Sequence, residues 1–85
     1  MTKIWAKIIF EQKIVKSYVY KDEGKFNPMN LLNYLSDICL NFDISVPVIL
    51  DKHLKHLFKF NMVKFNKSDF IEPVNFDSFV LNIIE

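Results

Sequence analysis

The sequence predicts a small α+β domain in the order ββααββ, a mainly antiparallel sheet with two helices on one face. Three observations predict it. Residues 3–20 are rich in isoleucine, valine, tyrosine and tryptophan around one short polar break. From Pro28 to Lys59 the apolar residues recur at helical spacing. The tail, 79–84, returns to an apolar run of strand length. A chain of 85 residues accommodates one domain, so residues 1–85 are expected to fold as a single unit.

The first two strands read as a hairpin turning at Glu11-Gln12. A two-residue turn sets Ile8 opposite Val15, Ala6 opposite Ser17, and Ile4 opposite Val19, and these six share the core face. The other face then carries Trp5, Lys7 and Ile9 against Tyr18, Lys16 and Ile14. Glu-Gln is not the Asn-Gly that a primed turn prefers, so a longer loop in the same register also fits.

Asn27-Pro28 signals a helix start, with asparagine as cap and proline at the first helical position. Leu31, Leu32, Leu35, Ile38, Cys39 and Phe42 fall on one stripe, whereas Met29 and Leu40 project from the polar side. Residues 41–45 connect to a second helix opened by Pro47. Its buried stripe is expected to be Leu50, Leu54, Leu57 and Phe58, and its solvated one Lys52, Lys55 and Lys59. Residues 62–65 read as a short strand and 66–69 as a turn. Pro73 argues against a central strand over 70–76. The tail reads as an interior strand.

Composition narrows the function. The chain is 51% hydrophobic with a net charge of +1, which excludes disorder. One glycine excludes a glycine-rich phosphate loop, and one cysteine excludes an internal disulfide framework and multi-cysteine zinc modules. All 11 basic residues are lysine, so the bidentate guanidinium fork that reads guanine and grips phosphate is absent. No apolar run reaches membrane-spanning length and the first ten residues lack a signal-peptide core, so a cytoplasmic protein is expected.

Few residues suggest chemistry. His53 and His56 have metal-ligand spacing, but no second His/Cys pair completes a zinc site, and no metal or cofactor is expected. Cys39 faces inward in the last turn of its helix and reads as a small core residue. Asp69, Glu72 and Asp77 have no partner histidine or metal signature that would make them an acid–base set. The surface is more telling. Trp5, Ile9, Ile14 and Tyr18 on the hairpin's outer face have no assigned inner partner. The same holds for the helical stripe Ile49, His53, His56 and Phe60. Large apolar patches seldom stay uncovered.

The stretch from Leu35 to Ile49, continuing through His53-Leu54-Lys55 to residues 61–65, resembles a winged helix-turn-helix repressor. The resemblance implies duplex DNA binding through residues 35–65. It departs from that pattern in having Asp43 where the turn glycine stands, no arginine, and a hairpin before the helices. The whole chain is also similar to short uncharacterised proteins of clostridia and related low-GC bacteria, and that resemblance implies no activity.

The sequence thus points to a non-enzymatic protein-interaction domain that forms a homodimer or docks on another protein. An exposed edge strand could also join two sheets. The competing class is nucleic-acid binding, either by residues 35–65 or by single strands stacked on the lysine and aromatic side chains of Lys3, Trp5, Lys7, Lys16, Tyr18 and Tyr20.

Overall fold

Alternation of apolar and polar side chains draws β1 (Thr2–Phe10) into an extended conformation with Ile4, Ala6 and Ile8 buried and Lys3, Trp5 and Lys7 facing away from them. A computed structural model describes residues 1–84 of the chain and places β1 inside a four-stranded antiparallel sheet. Its neighbours are β2 (Lys13–Asp22) and β4 (Ser78–Ile83), and β3 (Met62–Asn66) borders β4, giving the order β2-β1-β4-β3. The tail strand is therefore interior, as its two apolar faces predicted. With two helices, this makes a small, compact α+β molecule.

The turn at Glu11-Gln12 is real, and both residues take left-handed φ values of 52° and 67°, as a type I′ turn demands. The expected register holds only for Phe10–Lys13 and Ile9–Ile14. A β-bulge at Val15 then shifts it by one residue, so Ile8 faces Lys16, Ala6 faces Tyr18 and Ile4 faces Tyr20. The cause is packing. The unbulged register would aim Val15, Ser17 and Val19 at the core, whereas the bulged one aims two tyrosine rings there. Tyr18 meets Phe42 edge-on at 6.3 Å, and Tyr20 meets Tyr34 at 5.8 Å.

Asn27 caps a 3₁₀ turn over Pro28–Asn30, its side chain accepting the Met29 N–H at 3.0 Å. The turn runs into α1 (Leu31–Phe42). Its buried stripe contains Leu31, Tyr34, Leu35, Ile38, Cys39 and Phe42. Tyr34 replaces the expected Leu32, which is 57% exposed, because the Tyr34 ring stacks on Phe26 at 5.5 Å and its hydroxyl accepts the Asn27 N–H. Asp43, in the left-handed conformation at φ 57°, ends the helix.

Helix α2 (Asp51–Phe60) begins four residues later than Pro47 suggested, after an extended Leu50. Its buried residues are His53 and Leu57, with Leu54 half-buried, while Leu50 and Phe58 are exposed. The helix is thus rotated from the expected face. A histidine takes a core position that hydrophobicity alone assigns to leucine or phenylalanine. Residues 70–77 have no regular structure and are anchored by Phe70 and Phe76, edge to face at 5.4 Å.

One cluster joins Ile4, Ala6, Ile8, Val63, Phe65, Phe79 and Leu81 of the strands to the α1 stripe and Leu57. Phe79 stands at its centre, with Phe42 edge-on at 6.0 Å and Phe65 at 6.1 Å. Burying each such side chain contributes about 1.5–3 kcal/mol, which a chain with no disulfide needs.

Candidate functional site

Pairing fixes what lies on the sheet face opposite Ile4, Ala6 and Ile8, because side chains directly across a ladder share a side. Val19, Trp5, Asn82 and Met62 form one row across the four strands. Ser17, Lys7, Val80 and Lys64 form the next, and Ile14, Ile9, Ser78 and Asn66 the third. Beyond the Trp5 row, Lys21 stands opposite Lys3. Trp5 is 38% exposed, Val19 42% and Ile14 52%. The Lys7 ammonium lies 4.1 Å from the Trp5 ring centroid and donates to Asn82 Oδ1, which orients both side chains. No aspartate or glutamate stands in these rows.

Of the residues singled out in the sequence, Trp5, Ile9 and Ile14 come together on this face. Tyr18 does not: the bulge turns it to the core, and Val19 takes the place beside Trp5. With Tyr20 also inside, Trp5 is the one aromatic ring in the rows. Val19, Lys21 and Lys64 were missed. Lys64 was readable in principle as the polar position between Val63 and Phe65, but its row depends on pairing that sequence does not display.

The stripe Ile49, His53, His56 and Phe60 is dispersed. Ile49 is half-buried against the core, and Phe60 is exposed at 56%. His53 is buried and makes a local network. Its Nδ1 accepts the Leu50 N–H at 2.9 Å, so the ring proton sits on Nε2, 3.2 Å from Asp69 Oδ2. Asp69 also accepts the Asn66 N–H at 2.8 Å, and Lys52 approaches at 3.8 Å. Burial pushes the Asp69 carboxyl pKa up. The Asn66 N–H, His53 and Lys52 together outweigh that and hold it below its ordinary value. His56 donates Nδ1–H to the Met62 carbonyl at 2.9 Å and stacks on Phe60. Each histidine is thus engaged separately, and among the described residues no group of His, Cys, Asp and Glu could hold a metal.

Asp77 accepts the Glu11 N–H at 2.8 Å and Glu72 is exposed, so the three tail acids do not converge. Cys39 is fully inside the core, where burial pushes its thiol up to about 12. Residues 44–50, which the repressor resemblance would place in a helix start, are not helical. Among the described residues no helix is long and apolar enough to cross a membrane.

Hollows indent the surface formed by the described residues. Lys52, His53, His56, Val63, Lys64 and Asn66 line one of about 240 Å³ at the β3 edge. One of about 470 Å³ lies between Phe10, Val15 and Lys16 of the hairpin and Ile44, Asn75 and Phe76. The third, about 400 Å³, shares Ile44, Asn75 and Phe76 and adds Asp43, Ser45 and Glu72. No protein-family model, curated protein or solved structure matches this chain.

Proposed function

We propose that this chain is a protein-interaction domain: in its ββααββ order both helices cover the Ile4–Ala6–Ile8 face, and the Trp5 face docks a partner protein. The observation that carries this reading is the uncovered patch of Trp5, Val19 and Ile14 at the centre and hairpin side of a continuous sheet face. Aromatic and aliphatic side chains on a rigid sheet suit a docking surface, because little side-chain entropy is lost when they are covered. The bulge strengthens the reading. It commits Tyr18 and Tyr20 to the core and leaves Trp5 with Lys7 folded over it.

In-cell photo-crosslinking tests the proposal. A photoreactive residue at Val19 should give a discrete protein adduct, and one at Leu40, exposed on α1, should not. An adduct of twice the chain mass would identify the partner as a second copy. No adduct from Val19, or equal adducts from both positions, would contradict the reading.

A further inference from the structure

Resting on that reading, we infer that the Trp5 face takes an acidic protein segment, carboxylates interspersed with apolar side chains, and not a second copy of itself. The argument is the distribution of charge. The whole chain has a net charge of +1, from 11 lysines and 10 acids. Lys7, Lys21 and Lys64 stand on this face, and among the described residues no acid stands in its rows. The chain's other eight lysines are outnumbered by its ten acids, so positive charge is in excess on this face relative to the rest of the chain.

The lysines are not scattered. Lys7 and Lys64 flank Val80 in one row across the sheet. At the β3 edge Lys64 also lines a hollow with His56, Asn66 and Lys52, the last of which lies 3.8 Å from Asp69. Lys7 keeps its charge undiluted, since its partners are a neutral amide and an aromatic ring. A two-fold pairing of this face with itself would bring the lysines of two copies into one interface. Like charges brought together in an interface oppose association. An acidic partner has the opposite sign and matches the field.

Polyanions of two kinds share that sign, and the rest of the face chooses between them. Single-stranded nucleic acid needs successive rings for its bases. Here one ring is exposed in the rows, its face occupied by the Lys7 ammonium, and Ile9, Ile14, Val19 and Val80 around it are aliphatic. Aliphatic side chains offer bases no stacking partner, but they do bury valine or leucine of a peptide.

The test uses the purified chain, a short labelled peptide alternating glutamate and valine, the same peptide with lysine for glutamate, and an oligothymidylate. Anisotropy of the label and Trp5 emission are read together. The acidic peptide should bind, shift Trp5 emission to the blue, and weaken as salt rises. Lys7→Gln with Lys64→Gln should weaken it roughly tenfold, by loss of two exposed charge pairs, with unchanged thermal melting. Binding of the lysine peptide as well as the acidic one, tighter binding of the oligothymidylate, or self-association that buries Trp5 would each overturn the inference. So would no response to the acidic peptide. If crosslinks still form from Val19, the docking reading survives that failure and only the acidic chemistry falls.

Discussion

At His53 the two ring nitrogens do different work. Nδ1 receives the Leu50 N–H, one of the donors that the start of α2 leaves without a helical partner, and Nε2–H points to Asp69. The Asp69 carboxylate thereby holds His53 and the Asn66 N–H together, while its backbone carbonyl accepts the Val48 N–H at 2.8 Å. Two backbone segments, 48–53 and 66–69, are tied together at this one residue. Asp69→Ala leaves the buried His53 Nε2–H and the part-buried Asn66 N–H without their acceptor and should cost about 1–3 kcal/mol in chemical denaturation. The pH dependence has a definite sign. A carboxyl whose native pKa lies below its unfolded value of 3.8 contributes stability in full above that value and loses it as pH falls through the lower native one. Asp69→Asn should therefore flatten the decline in stability below about pH 4, measured by denaturant midpoints at descending pH.

The hairpin is the element whose details decide the surface. Glu11 and Gln12 occupy left-handed conformations that cost an L-residue about 1–2 kcal/mol each. The Glu11 N–H bonded to Asp77 and the long β1–β2 ladder hold the turn in place. Replacing the pair by Asn-Gly should raise stability by about 1–2 kcal/mol, read as a higher denaturation midpoint with an unchanged slope. A loss of stability would mean that the turn is not the strained one described. The bulge at Val15 has a second effect. Together with Lys13, Lys16 and Lys21 it interrupts the regular hydrogen-bonding template along β2, one of the sheet's two edges. Joining of two sheets through that edge is thereby disfavoured.

At the scale of the molecule, the sequence was legible where one physical signal dominated. Strand β1, the cap at Asn27 and the interior tail strand all follow from alternation, capping chemistry or unbroken apolarity. It was illegible where long-range partners choose between equivalent local patterns. Tyr18 could face either way until Phe42 was placed beside it. His53 reads as a boundary residue until Asp69, sixteen positions away, supplies its acceptor. Leu32 and Tyr34 both fit the edge of one stripe, and the Phe26 ring decided for Tyr34. The candidate face inherits this division: Trp5, Ile9 and Ile14 were visible, whereas Val19 and Lys64 required the register.

An open face of positive sign has a direct optical signature, since Trp5 is the sole tryptophan in the chain. Iodide and caesium quench exposed indole by collision, and a field of several lysines concentrates the anion and repels the cation. In dilute salt, iodide should quench Trp5 emission more strongly than caesium, and the difference should shrink in Lys7→Gln/Lys64→Gln and at high ionic strength. Equal quenching by the two ions, or emission that neither ion reaches, would contradict an open lysine-bearing face around Trp5.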